Sequence, residues 1–324
     1  MSNALDPSLF ERTTTVSREG LSIMAGIHVN PDLAIVARAG SERADYRYFV
    51  RQWPDGQPPR IIETLQYIEQ LRALARDAEW PHRDDRQFLF QLDDNPVDVC
   101  SISWEARAGW RNVRLIPDLY YVLAGGYEWF NPELQPWAAR RPSIVWRGSS
   151  TGAFQQTEDG LDQVPRYRMC KIAAQLGDSA DVGLTDLVQA ASPHEEARIR
   201  ERVVREGLFK PFVSMIDMAR HRYILDIDGN SNSWNFMQKL RLGCCVLRVE
   251  SDWRQWFADR LIAWEHYVPI ALDLSDLVER AEWCFANPKE CSAIATHGKQ
   301  FALDMKFPDE MSRAASTAFA APKG

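Results

Sequence analysis

Residues 222–235 read RYILDIDGNSNSWN. A run of strand-forming residues ends in Asp226 and Asp228, then Gly229, then small polar residues. Two chemistries fit such a stretch. Asp226 and Asp228 share a face of a strand because alternate residues do, and so could clamp a divalent metal. Alternatively, Gly229 to Ser233 form a loop whose backbone N–H groups face an anion. In that second reading Gly229 permits φ > 0 at the turn, and a helix beginning near Ser233 turns its free N–H groups and partial positive charge into the loop. The clamp is a three-letter pattern in a chain with 45 acidic residues, and carboxylates at a strand end also serve as caps or acceptors. The loop reading therefore ranks above it, beside the plain alternative of an ordinary turn.

Outward from this stretch the pattern repeats. Strand 222–228, loop 229–233, a helix to about Leu242 stopped by Gly243, and the strand CCVLRV make a β-loop-α-β unit. Further on, 251–261 (SDWRQWFADRL) reads as a helix and 266–272 (HYVPIAL) as a strand. Residues 273–288 (DLSDLVERAEWCFANP) read as a helix capped by Ser275 and stopped by Pro288. Units of this kind give parallel sheets with ligands at the carboxyl ends of the strands. Upstream, 143–148 (SIVWRG) is a short strand ending in a loop, 166–177 a helix closing at Gly177, and 192–207 a charged helix with a solvated face. The stretch 131–142 holds three prolines and no clean periodicity, which places an inter-domain link there. Before it, 21–29, 33–39 and 46–53 alternate as short strands, 61–77 carries Ile61, Leu65, Ile68, Leu71 and Leu74 at helical spacing, and Phe88–Leu92 is a strand.

Composition bounds the function. A chain of 324 residues, 45% hydrophobic and 26% charged, is long enough for two domains with their own cores. A formal charge of -7 argues against a nucleic-acid partner. The first residues lack a secretory pattern and no window approaches a membrane span, so a cytoplasmic protein is expected. The six cysteines form no CxxC pair and have no histidine at ligand spacing, and they read as buried thiols rather than a zinc site. Neither a GxGxxG nor a GxxxxGK[ST] pattern is present.

The run from Arg222 to Phe301, with its DG loop, L-x-x-G helix end, tryptophan-rich segment, HYVP and DLSDL, resembles the C-terminal signature of family-90 glycosyltransferases. That family includes CAP10-like capsule-associated enzymes, bacterial lipopolysaccharide-modifying transferases and protein O-glucosyl- and O-xylosyltransferases. WRGSSTG at 146–152 is similar to its donor-site loop, and LDDNP at 92–96 lies where its members carry a catalytic aspartate. The resemblance implies an α/β fold of GT-B type, two Rossmann-like lobes with a cleft between them. It places an acceptor-side lobe over 1–140, a nucleotide-sugar lobe over 141–300, and a C-terminal helix and tail over 301–324 that packs back on the first lobe.

The implied activity is inverting and metal-independent, with no cofactor: a glucose, xylose or similar sugar moves from a UDP-sugar to a glycan hydroxyl. The implied acceptor is lipopolysaccharide or another cell-surface glycan or glycolipid, reached with at most peripheral membrane contact. Transfer to protein serine or threonine, a metal-dependent transferase, and a non-catalytic nucleotide-sugar or glycan binder are the alternatives. By the resemblance Asp94 is the general base, with Asp93 as the nearby alternative. The donor is met by Arg147, Gly148 and Ser149, by Arg166 and Arg168, and by Gly229, Asn230, Ser231, Asn232, Ser233, Trp234 and Asn235. A donor-binding arginine of the eukaryotic relatives falls on Asn235, so Arg168 or Lys239 is expected to compensate. His266 and Tyr267 are weighed as base or sugar contacts and read as structural.

Overall fold

The structure is a computed structural model that describes residues 101–319 throughout. Before them it describes the backbones of four strands between residues 10 and 50, helical residues between 66 and 75, residues 87–91, and residues 96 and 98–100. Contacts divide the chain into two units: Met1–Gly126 with Asp252–Asp259 and Lys306–Gly324, and Tyr127–Ser251 with Arg260–Met305.

The first unit carries a seven-stranded mixed sheet. Its strands are β1 (Phe10–Arg18), β2 (Leu21–His28), β3 (Leu33–Arg38), β4 (Tyr46–Val50), β5 (Gln87–Gln91), β6 (Ser101–Ser103) and β8 (Val113–Leu115), in the order β1-β2-β4-β3-β5-β6-β8. A two-residue strand, β7 (Ala106–Arg107), pairs instead with β13 (Trp253–Arg254), Trp253 opposite Arg107. This pairing is why 251–261 is not the helix its sequence suggests. Arg107 lies over the Trp253 ring at 4.3 Å, and 258–260 alone form a single 3-10 turn. Helix α1 (Leu119–Leu123) starts at Asp118, whose carboxylate accepts from the Tyr121 N–H at 2.9 Å. The last helix, α8 (Phe307–Phe319), belongs to this unit, where Arg114 donates to the Thr317 carbonyl at 3.3 Å.

The second unit is built on five parallel strands. They are β9 (Arg141–Ser149), β10 (Ala180–Asp186), β11 (His221–Asp226), β12 (Cys245–Val249) and β14 (Val268–Ile270), in the order β10-β9-β11-β12-β14. Ile144, Val145, Val182, Leu184, Ile224, Leu225, Val246, Leu247, Val268 and Ile270 are all buried. Both faces of a parallel sheet are covered by crossover helices, so its strands read as continuous apolar runs rather than alternating ones.

Those helices have local reasons. In α2 (Pro165–Ala173) and α3 (Pro193–Arg205) proline stands in the first turn, where its missing N–H costs nothing. Helix α3 is capped by Ser192, which accepts from the Glu195 N–H at 3.2 Å, and buries Ile199 and Val203 one turn apart. Helix α4 (Met215–Met218) is a single turn, and α5 (Phe236–Arg241) ends at Gly243 with φ +62. Pro288 does not simply stop a helix: α6 (Leu277–Ala286) ends at Asn287 and Pro288 opens α7 (Pro288–Asp304). Nor does Ser275 cap α6. Asp276 stands there, its carboxylate accepting from the Ala271 N–H at 2.8 Å and pairing with Arg280 at 2.9 Å.

The stretch 131–142, read as a link, belongs to the fabric of the second unit. Arg140 donates to the carbonyls of Gln135, Leu242 and Gly243, which ties the segment to the end of α5. No helix among the described residues is long and apolar enough to cross a membrane.

Gly298 of α7 packs directly against the segment before β14. A Cβ there would lie 2.5 Å from the His266 carbonyl oxygen and 3.0 Å from Leu240. Alanine is worth about 1 kcal/mol over glycine in a helix, but overpacking costs about 1–3 kcal/mol, so the clash wins. Gly298→Ala is expected to lower the urea midpoint of unfolding; an unchanged or raised midpoint would show that the helix can move away.

Candidate donor-binding crevice

Renumbered within its own sheet, the strand order of the second unit is 2-1-3-4-5, the order in which ligands bind where successive crossovers leave to opposite sides. That switch point lies between β9 and β11. The loops that follow these strands are 150–152 and 227–235, the two stretches singled out from the sequence.

The loops are fastened to each other by the first turn of α2. Arg166 donates to the carbonyls of Asp228 at 3.0 Å, Ile227 at 3.3 Å and Ser149 at 3.4 Å, with its guanidinium 5.7 Å from the Trp146 ring. The Asn230 amide oxygen accepts from the Gly152 N–H at 3.2 Å and from Gln189 at 3.0 Å. The glycines follow from closeness. A Cβ on Gly148 would meet the Trp146 ring at 2.6 Å, and one on Gly229 would meet the Thr151 hydroxyl at 2.8 Å and Arg166 at 3.0 Å. Gly229 does not have the positive φ expected of it; contact, not a left-handed turn, excludes a side chain there.

Two carboxylates close the floor. Asp226, fully buried, accepts from Lys239 at 2.7 Å and from the Ser233 hydroxyl at 2.6 Å. Asp228 accepts from the Ser233 N–H at 2.9 Å. Burial pushes Asp228 up to about 6, against the pull of Arg248 and a hydrogen bond from Ser251. The Lys239 ammonium is lowered by its burial and held up by Asp226. A metal clamp fits poorly here, because a lysine already neutralises Asp226 and a backbone N–H holds Asp228. With Arg166, Lys239 and Arg248 against Asp226 and Asp228, three cations face two carboxylates. The crevice therefore favours an anion. It also holds unsatisfied acceptors: Gln189 Oε1, Asp226 Oδ2 and Asp228 Oδ2, with the Ser231 hydroxyl, are buried without hydrogen-bond partners. Groups so placed are matched by a ligand rich in hydroxyls.

The residues selected from the sequence divide. Gly148, Ser149, Arg166, Gly229, Asn230, Ser231, Asn232 and Ser233 lie on or against the two loops, with Ser231, Asn232 and Ser233 buried. Trp234 is half-buried, and Asn235 is exposed at the start of α5 without making a side-chain cap. Arg147 points to the other side of β9. Four of its five N–H donors are taken, by the carbonyls of Trp146, Asp181 and Pro211 and by the Asp181 carboxylate at 2.8 Å. Burial would raise Asp181, but Lys210 and Arg147 hold it below its ordinary range. Arg168, two residues from Arg166, faces outward and donates to the Asp273 carbonyl at 3.0 Å. Arg168 thus lies off the two loops, and Lys239 is already paired with Asp226. His266 is structural: its Nδ1 accepts from the Ile262 N–H at 3.0 Å and its ring packs on Phe301 at 4.7 Å. Asp93 and Asp94 lie outside the described residues.

Two things were missed. Gln189 has φ +65, unusual for a side-chain-bearing residue, and nothing in its sequence context announces it. Arg248 was legible in principle, as the lone charge in the apolar strand CCVLRV. Away from the crevice, the sulfurs of Cys245, Cys284 and Cys291 lie within 4.8 Å of one another, buried in the core of this unit. A metal bound there would bring ionised thiolates into that apolar core, so the cluster reads as packed thiols.

The model of glycosyl transferase family 90 matches residues 87–309. The chain belongs to this family. It is 30% identical over 252 residues to protein O-glucosyltransferase 1 of Mus musculus, covering 75% of this chain and 58% of the mouse protein. It is 33% identical over 186 residues to uncharacterized protein 027R of frog virus 3, covering 53% of this chain and 19% of the viral one. The match to uncharacterized protein 179R of invertebrate iridescent virus 6 is 28% over 184 residues, covering 51% and 15%. The chain thus spans well under two thirds of the curated relatives it matches. Among solved structures, the Anabaena protein Alr3699/HepE in complex with UDP-glucose is 10% identical, with a TM-score of 0.40 over 55% of this chain and 48% of that one.

A carboxyl raised from 3.8 to about 6 by folding has a defined effect on stability. Its contribution is fully present below about pH 4 and is lost as pH rises through 6, by about 3 kcal/mol at roughly 1.4 kcal/mol per unit. Asp228→Asn is therefore expected to gain stability relative to the wild type as pH rises from 4 to 7. Paired urea titrations across that range check it; a constant difference would place the proton elsewhere.

Proposed function

We propose that this protein is an inverting, metal-independent glycosyltransferase that moves a sugar from a UDP-sugar to a hydroxyl of a glycan. The observation that carries the reading is the switch-point crevice, a surplus of buried cations beside unsatisfied acceptors. Family membership and the relatives named as protein O-glucosyltransferases support it. A diphosphate matches the first feature and sugar hydroxyls the second.

In this reading the acceptor oxygen attacks the anomeric carbon from the face opposite the leaving group. The carbon–oxygen bond to the diphosphate breaks, its electron pair leaves with UDP, and the acceptor proton passes to the carboxylate of Asp94. A carboxylate suits that role because the proton need depart only as the new bond forms. Charge gathers on the departing diphosphate, and cations already fixed in a water-poor site stabilise it without reorganising. Arg166 contributes by holding the two loops, Lys239 by neutralising Asp226. Side-chain cations thus supply the charge that a divalent metal supplies in other transferases.

The proposed acceptor is a lipopolysaccharide or related cell-surface glycan, met on the cytoplasmic side with at most peripheral membrane contact. A second reading, transfer to a protein serine or threonine, is favoured by the names of the relatives.

Calorimetric titration of UDP with EDTA present throughout tests the donor side. Wild type is expected to bind, Arg166→Ala to bind at least tenfold more weakly, and Asp94→Asn to bind normally while losing transfer to a glycan acceptor. Absence of UDP binding by the wild type, or binding that requires a metal, would overturn the reading. Transfer to folded protein but to no glycan would decide for the second acceptor.

A further inference from the structure

The buried arginines of the second unit have their donors in use. Arg140 serves three carbonyls, Arg147 three carbonyls and a carboxylate, Arg166 three carbonyls, and Arg241 the carbonyls of Phe130 and Ala302. Arg248 departs from this pattern. It sits at the carboxyl end of β12, in register with Asp226 on one side and Pro269 on the other, with its side chain 11% exposed. Its guanidinium lies 4.3 Å from the centroid of the Phe236 ring and 5.9 Å from that of Tyr267. The nearest carboxylate oxygen, Asp226 Oδ2, is 3.8 Å away, too far for a hydrogen bond, and that oxygen has no other partner. Among the described residues the Arg248 guanidinium makes no hydrogen bond.

The Arg248 nitrogens are not among the buried atoms left without partners, so its donors stay accessible, and the local charge does not tie them down. Lys239 already neutralises Asp226, and burial drives Asp228 toward its neutral form. The rings of Phe236 and Tyr267 lie against the guanidinium, and its N–H donors are not taken by any protein acceptor among the described residues. A planar fork so held is suited to two oxygens of one phosphate, which a lysine meets only as a point charge.

We propose that Arg248 is the anion anchor of the crevice, its N–H groups binding phosphate oxygens of the nucleoside diphosphate part of the donor. The inference rests on the donor reading above. It makes Arg248, rather than Arg147, Arg168 or Lys239, the residue on which diphosphate affinity depends.

The experiment compares UDP with uridine, which has the base and ribose but no phosphate, by calorimetry on wild type, Arg248→Ala and Arg248→Lys. Arg248→Ala is expected to weaken UDP by about 30-fold or more while leaving uridine within about twofold. Arg248→Lys keeps a charge beside Asp226, so it tests the proposal even if the alanine variant fails to fold. It is expected to lose about tenfold on UDP alone. Equal loss of UDP and uridine, or a lysine variant equal to wild type, would overturn the proposal and make Arg248 a counter-ion of Asp226 and Asp228. A wild type that binds neither probe would overturn the donor reading itself, a result distinct from both.

Discussion

The Arg166 guanidinium sets the spacing on which the crevice depends. It is half-buried, and it donates to carbonyls at the ends of two different strands: Ser149, the last residue of β9, and Ile227 and Asp228 after β11. Parallel strands can be joined only through long crossovers, so the loops at their carboxyl ends have no local reason to lie side by side. A fork with several donors supplies that reason. Burial lowers the pKa of the group, and the nearby Asp226 and Asp228 oppose the shift and keep it charged. The cation thus requires the carboxylates beneath it, and the carboxylates require Lys239 and Arg248.

This mutual dependence explains the composition of the loop. Asp226 without Lys239 would lose its hydrogen-bonded counter-ion, and removing one partner of a buried pair costs about 3–5 kcal/mol. Ser233 matters twice, its hydroxyl on Asp226 and its N–H on Asp228, so one small residue fixes both carboxylates. Gly229 must be glycine because Thr151 and Arg166 occupy the space its side chain would need. What looks like a flexible polar turn is a crowded joint whose residue types follow from their neighbours.

Much of the second unit was legible for the reason that buried parallel strands leave apolar runs and their helices leave caps. YIL at 223–225 and CVL at 245–247 read as strands and are; Gly243 reads as a helix stop and is. The failures share a cause as well. Residues 251–261 alternate charge and aromatic groups at helical spacing, but Trp253 and Arg254 pair with Ala106 and Arg107, nearly 150 residues away. No local pattern encodes a partner at that distance. Pro288 both ends one helix and begins the next, and proline at a first helical position looks the same in sequence as proline after a last one.

Arg147 and Arg248 show where residue-type reasoning runs out. Both are arginines near the carboxyl end of a central parallel strand, and the first stands in the more distinctive motif. Side chains alternate along a strand, so Trp146 and Arg147 must face opposite ways. Since Trp146 takes the side of Arg166, Arg147 is sent to the side where Asp181 and Lys210 wait. Arg248 lies in register with Asp226 on the neighbouring strand, and the direction of its side chain brings it toward that carboxylate and the rings of Phe236 and Tyr267. One residue of register decides which arginine is a brace and which is left with free donors. That parity is set by the packing of Trp146 under the loop, which the spacing of charges alone does not reveal.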